Sequence, residues 1–194
     1  MTSSGRFSLL RRRQAFLPSS RGQVLMSIGL ACTMIGAVGS AGFSMVVEAT
    51  STTEFCLSCH EMKVMQEELS KTVHFKNRTG VRVGCGDCHV PRHQPDKIIA
   101  KVHALDDVYA HLIGIIDTPE KFELRREEMA HTVWADMKAN KSQACRSCHA
   151  FEAMEFARQA DRPRRKHEEA MNNGETCIDC HKGVAHALPK GFRK

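Results

Sequence analysis

Hydrophobic and polar positions divide this chain sharply. Val24 to Val47 is an uninterrupted run of 24 residues without a charge, bounded by Arg21 and Glu48. As a helix it is about 36 Å long at ~1.5 Å per residue, enough to cross a bilayer. Beyond it the pattern turns amphipathic. Glu61–Lys71, Lys97–Ile116, Glu120–Ala139 and Phe151–Ala170 have helix-forming composition, with Pro91, Pro95, Pro119 and Gly174 at the joins. Pro163 falls inside the last of these and is expected to kink or split it. The pattern calls for little sheet, and the expected class is mainly α.

Charge separates the two regions again. Residues 1–21 hold Arg6, Arg11, Arg12, Arg13 and Arg21 and no acid, whereas the whole chain carries 28 Lys and Arg against 22 Asp and Glu. The net +6 is therefore mostly a property of this tail, and the body is close to neutral. The balance does not read as a nucleic-acid surface. It marks the arginine-rich end as cytoplasmic by the positive-inside rule. A cleaved signal peptide also starts basic and then turns apolar, but its apolar part is usually ~7–15 residues, so an uncleaved anchor is expected. Gly29, Gly36, Gly39 and Gly42 reflect the frequent glycine of membrane helices, and Cys32 reads as a small apolar filler. The domain reading is a cytoplasmic tail at 1–21, an anchor at 22–48 and an exported domain at 49–194.

Cysteine usage decides the chemistry of that domain. Of 9 Cys and 11 His, eight cysteines and four histidines form four C-x-x-C-H runs: Cys56, Cys59 and His60; Cys85, Cys88 and His89; Cys145, Cys148 and His149; Cys177, Cys180 and His181. One such run is expected by chance on the order of a few hundredths of a time per chain. In each, two thiols form thioethers to haem vinyl groups and the adjacent histidine offers an imidazole to iron. Zinc ribbons do not require a histidine after every second cysteine. Disulfides fit an exported domain without predicting the repeated pentad. Four covalently bound haem c groups are expected, and they must supply much of the apolar core, since aromatics are only 6% of the chain. Their propionates would turn the body acidic by roughly three to seven units.

Spacing suggests a duplicated dihaem unit, with halves at about 49–117 and 118–194. His60 to His89 is 29 residues and His149 to His181 is 32. His74 and His167 follow the first motif of each half at +14 and +18, and His93 and His186 follow the second at +4 and +5. Recurrence in both halves makes them candidate distal iron ligands. His103, His111 and His131 have no counterpart in this scheme, and Trp134 is placed for packing.

These residues resemble the NapC/NirT family of membrane-anchored tetrahaem cytochromes c. The likeness is carried by Cys56-Leu-Ser-Cys-His-Glu-Met62, His74-Phe-Lys-Asn-Arg-Thr-Gly-Val-Arg-Val, Cys85-Gly-Asp-Cys-His-Val-Pro91, Trp134-Ala-Asp-Met-Lys-Ala-Asn140 and Cys177-Ile-Asp-Cys-His-Lys-Gly-Val-Ala-His186-Ala-Leu-Pro189. It covers the chain from Arg21 onward and looks most like the branch serving periplasmic nitrate reductase. The resemblance implies a haem-packed multihaem domain behind one transmembrane helix in a bacterial inner membrane, with the domain in the periplasm. It implies His89 paired with His167, His149 with His186, and His181 with His74. For the first iron the candidates are His60, Met62 and His93. Met62 is preferred, because the resemblance places a methionine there and a thioether tends to raise the potential.

The resemblance also implies the activity: oxidation of membrane quinol (menaquinol or ubiquinol) and delivery of electrons to a periplasmic reductase or soluble cytochrome c. Nitrate reductase is the first candidate, with nitrite and trimethylamine N-oxide reductases as alternatives. A terminal reductase of nitrite or hydroxylamine is a second class, and a haem sensor or bare tether a third. Lys101 and Asp107 resemble the lysine and carboxylate that line the family's quinol pocket. Six residues on a helix set them roughly 120° apart, so both can border one cavity. Asp107 would take the hydroxyl proton and Lys101 would hold the oxyanion.

Overall fold

The computed structural model describes residues 20–192, so four of the five tail arginines lie outside the described residues. Helix α1 runs Ser20–Ala49, longer at both ends than the apolar run that predicts it. Its side chains are exposed from Gln23 to Val46. By length and composition it can cross a membrane. The chain divides into two compact units after Ser44, the second running from Met45 to Lys194.

Within the second unit the described residues form helices and turns, with no strand among them. Helix α2 is Thr53–Cys56, α3 Lys63–Ser70, α4 Cys85–His89, α5 Asp96–Leu112, α6 Pro119–Ala139, α7 Gln143–Arg146, α8 Asp161–Asn173 and α9 Cys177–Cys180, with 3-10 turns at His60–Met62, Phe151–Ala153 and Phe156–Arg158. The two longest, α5 and α6, start where proline indicates. Pro119 is the first residue of α6, and Thr118 Oγ1 accepts from the Lys121 N–H at 3.3 Å. The Phe151–Ala170 expectation is corrected in part: two 3-10 turns occupy its first half, and α8 begins at Asp161. Pro163 then lies in the first turn of α8, where its missing N–H costs no hydrogen bond. Helix α8 stops at Gly174, whose φ of 68° is left-handed.

The apolar core is sparse. Val47, Leu69, Ile116, Phe122 and Ile178 are the buried hydrophobic residues among those described. A domain of this length normally buries far more, so the interior is shaped for material other than its own side chains.

Candidate haem sites

Each C-x-x-C-H motif includes a short helical turn. Helices α4 and α9 contain both cysteines of their motif, three apart on a turn, whereas α2 and α7 contain only the first. Two of the turns carry the same cap. In α4, Asp87 accepts from the Gly84 N–H at 2.9 Å; in α9, Asp179 accepts from the Thr176 N–H at 2.9 Å. Hydroxyls three residues before Cys56 and Cys145 reach across to these caps. Thr53 Oγ1 accepts from the Cys85 N–H at 3.2 Å, and Ser142 Oγ from the Ile178 N–H at 3.1 Å. Ser142 is fully buried with φ 54°, next to Lys141 at φ 56°. Non-glycine residues in that region cost of order 1–3 kcal/mol each and persist where surrounding contacts impose them. Gly86 is required by proximity, since a Cβ there would stand 2.5 Å from the Ser51 carbonyl oxygen.

The motifs lie in chain order. Helix α2 packs on α4 and α4 on α7. The Cys56 and Cys85 thiols share a hydrogen bond, which lowers Cys85 to about 6 and raises Cys56. Burial, then the neighbouring Cys145, raises Cys88 to about 11. Burial and then Cys177 raise Cys145. No disulfide joins any of the nine cysteines.

The motif thiols are not enclosed equally. Cys56, Cys59, Cys85, Cys88, Cys145 and Cys177 are half-buried, but Cys148 and Cys180 are exposed. Helix α7 ends at Arg146, so Cys145 lies inside the helix and Cys148 two residues past its end. The turn there tightens: the N–H groups of Cys148 and His149 both point to the Cys145 carbonyl, at 3.2 and 2.8 Å. Cys148 Sγ lies 3.8 Å from the Ser147 hydroxyl. Cys180 is likewise the last residue of α9. In both motifs of this half the first thiol is held by packing and the second faces outward.

The histidines form four facing pairs. Ring centroids are 6.3 Å apart for His74 and His149, 6.3 Å for His89 and His186, and 5.9 Å for His167 and His181. Metal–imidazole bonds of about 2 Å put two trans imidazoles on one iron at about this separation. The pairing implied by the resemblance is therefore corrected. His74 faces the third motif instead of the fourth, His186 the second instead of the third, and His167 the fourth instead of the second. His93 is exposed, and no ring among the described residues faces it.

The fourth pair differs in kind. His60 and His111 are 6.1 Å apart, but Glu61, 1% exposed, lies between them. Its Oε1 is 2.6 Å from His111 Nδ1 and its Oε2 3.7 Å from His60 Nδ1. The Glu61 carboxylate thus bonds the His111 ring and approaches the His60 ring. Met62 is half-buried one residue beyond Glu61. Sequence reasoning missed His111 and Glu61, whose contact spans 50 positions and leaves no local signal.

Two further residues hold a ligand candidate in place. Arg126 on α6 donates to both carboxylate oxygens of Glu68 on α3, at 2.9 and 2.6 Å, and to the Ala187 carbonyl at 2.7 Å. Glu68 in turn accepts from the Ala187 N–H at 2.9 Å. The residue after His186 is thus gripped by both of its backbone groups. Burial alone raises the Glu68 carboxyl, but the Arg126 and Ala187 hydrogen bonds outweigh it and hold it below its ordinary value. His167 Nδ1 lies 2.7 Å from Gln159 Oε1. His89 keeps exposed surface, yet desolvation by surrounding protein and then the neighbouring His186 lower it to about 4, and burial chiefly lowers His186. Neutral imidazole is the form that binds metal.

The residues present fit covalently attached haem. The thiols are free, three imidazole pairs have the right separation, and the interior lacks a core of its own. His74 Nδ1 and His186 Nδ1 are also buried without a hydrogen-bond partner among the described residues.

Lys101 and Asp107 share α5, and no hydrogen bond or ion pair joins them among the described residues. Lys101 Nζ donates to the Thr50 carbonyl and lies 5.9 Å from the Phe55 ring, beside the first motif. Burial lowers its pKa. Asp107 is exposed, yet surrounding protein desolvates its carboxyl and raises its pKa, with Asp106 adding a like charge. A cavity of about 370 Å³ between residues 48–54 and α4 is bordered by Glu48, Thr53, Asp87, Arg92 and Lys97, and by neither Lys101 nor Asp107. Trp134 packs against His131 at 5.1 Å and Phe192 at 5.0 Å, beneath Lys182.

Comparison with known proteins agrees with this chemistry. The cytochrome c-type protein TorY of Escherichia coli O157:H7 is 48% identical over 168 residues, covering 84% of this chain and 46% of TorY. The chain thus spans about half the length of that relative. The denitrification system component NirT of Stutzerimonas stutzeri is 44% identical over 191 residues, 97% of this chain and 91% of NirT. The cytochrome c-type protein NapC of Escherichia coli K12 is 47% identical over 161 residues, 80% of each chain. No solved structure matches. The NapC/NirT cytochrome c family, N-terminal region, matches residues 18–191. A match of that extent, over free C-x-x-C-H thiols and imidazoles set for iron, means that the chain belongs to the NapC/NirT family of electron-transport cytochromes c, with covalently bound haem c and an N-terminal helix that fits a membrane anchor.

Proposed function

We propose that the chain oxidises membrane quinol and passes the electrons through four haem c groups to a periplasmic reductase, nitrate reductase first among the candidates. The observation that carries this reading is the set of three imidazole pairs at iron-spanning separation, beside motifs packed in chain order. In this reading the protein crosses the inner membrane once, with its N-terminus cytoplasmic and its haem domain periplasmic. The matching caps and hydroxyl anchors of α4 and α9 support two similar dihaem halves. Bound haem supplies one-electron carriers whose potentials follow axial ligation and burial.

The chain's own residues divide the work. Eight motif cysteines would tether haem, Cys148 and Cys180 among them, and His89 with His186, His149 with His74, and His181 with His167 would supply imidazole nitrogens to iron. Met62 would serve the first iron, beside the Glu61 carboxylate that bonds His111. The first site is therefore the one not closed by two imidazoles. Lys101 steadies the quinol oxyanion and Asp107 accepts the proton.

Lys101→Gln and Asp107→Asn test the quinol site. Haem content and reduction by dithionite should be unchanged, while reduction by a quinol analogue falls at least tenfold, about 1.4 kcal/mol of barrier. The parental rate should also rise with pH as Asp107 loses its proton, through a range above the ordinary carboxylate value because its pKa is raised. Asp107→Asn should flatten that rise. Parental quinol rates in both variants would contradict the assignment.

A further inference from the structure

Helix α5 presents a continuous apolar stripe to the outside. At ~100° per residue, Ile98, Val102, Leu105, Tyr109 and Leu112 fall within roughly 80° of its circumference. Val102 is 56% exposed, Leu105 61%, Tyr109 63% and Leu112 75%. Ala100 and the Glu61-bonded His111 are half-buried and point about 200° round from Ile98. The stripe therefore faces away from the His111–Glu61 contact, while Lys101 at its edge reaches Thr50 and the Phe55 ring. An apolar stripe of this length, left in water, needs a covering.

The chain itself indicates what covers it. Met45, Val46 and Val47, the last apolar residues of the α1 run, belong to the same compact unit as α5. The first two turns of α5 are fastened to the residues that follow them. Lys97 pairs with Glu48, and Lys101 donates to the Thr50 carbonyl. The start of α5 is thus held at the level where the apolar run gives way to charge. Tyr109, the only tyrosine in the chain, stands on the stripe, and tyrosine favours the membrane–water boundary. Lys97 and Lys101 lie to one flank, where cations meet lipid phosphate.

We infer that α5 is an interfacial helix, its Ile98–Leu112 stripe sunk into the bilayer leaflet at the C-terminal end of α1. This goes beyond quinol oxidation and rests only on α1 as a membrane span. The helix then holds the first motif against the lipid by a second attachment, independent of the anchor.

The test uses the haem-loaded full chain in single-copy nanodiscs of phosphatidylcholine and phosphatidylglycerol containing a phosphatidylcholine with a diazirine in its acyl chain. After illumination, lipid adducts are mapped by mass spectrometry. Adducts are expected on α1 and on the α5 stripe. Leu105→Glu/Leu112→Glu should cut α5 labelling at least tenfold while leaving α1 labelling and haem content intact. Adducts confined to α1 in the parental protein would overturn the inference. So would loss of a dimer in the double variant without α5 labelling in the parent, since the stripe would then cover a second copy. Quinol-driven haem reduction in the same nanodiscs keeps the two readings apart, because normal reduction with unlabelled α5 contradicts the interfacial helix alone.

Discussion

Replacing His74 with alanine is expected to remove one axial imidazole from the haem of the third motif, and from no other. His74 and His149 face each other 83° apart in plane, whereas His89/His186 and His167/His181 are inclined by only 34° and 29°. Perpendicular and near-parallel bis-imidazole irons give different low-spin magnetic resonance signals, so the centre that changes is identifiable. The signal of the perpendicular pair should vanish and a high-spin signal replace it, and added imidazole should restore the low-spin state. Electron throughput should fall at least tenfold, about 1.4 kcal/mol. A double-mutant cycle sharpens the result. In a Cys145→Ala/Cys148→Ala background, which lacks the third haem, His74→Ala should change no further spectroscopic signal. Loss of a near-parallel signal in place of the perpendicular one would contradict the pairing.

Arg126→Ala is expected to be the most damaging change away from any haem ligand. The Arg126 side chain is 9% exposed and that of Glu68 18%, and the two form a fork that also grips Ala187. Removing one partner of such a pair leaves an uncompensated buried charge and costs about 3–5 kcal/mol. For a chain of this size that is a fall in melting temperature of roughly 6–20 °C. The grip on Ala187 adds a spectroscopic consequence, because His186 loses its fixed position and the signal of the second haem should broaden or shift. Acid supplies an independent check. Glu68 has a lowered folded pKa, so its contribution is present above its unfolded pKa and is lost as pH falls through the folded one. The parental protein should therefore lose stability on acidification through that window, and Arg126→Ala, which has lost the pairing already, should lose less. Equal melting temperatures at neutral pH would contradict the account.

What could be read in advance was local. The C-x-x-C-H motifs, the apolar run of α1 and the proline that starts α6 each act within a few residues, and the structure bears out their positions. The motifs did not foretell how their thiols are covered: Cys145 and Cys148 share one pentad, yet the first is half-buried and the second exposed. The iron pairs were not local either. Duplication logic made His74 and His167 equivalent, yet His74 crosses to the third motif while His167 stays within its own half. His186 crosses the other way, to the second. Pairing is set by how the motif turns stack, which repeat spacing does not encode. Glu61 with His111 and Glu68 with Arg126 span 50 and 58 positions, and as isolated charges on helices they look like solvated surface. Their burial follows from tertiary packing. Sparse aromatic content did foretell the thin core, for a physical reason: the volume is reserved for macrocycles.

In the function proposed, quinol, not a small inorganic substrate, is the protein's reaction partner at the membrane. The most direct measurement follows haem absorbance of the anchored protein in liposomes, first with menaquinol or ubiquinol analogue and then with nitrite or hydroxylamine. The account predicts that quinol reduces the haems, at least tenfold faster than in the Lys101→Gln protein, and that they stay reduced when nitrite or hydroxylamine alone is added. Haems that quinol leaves oxidised, or that nitrite or hydroxylamine rapidly reoxidises, would contradict it.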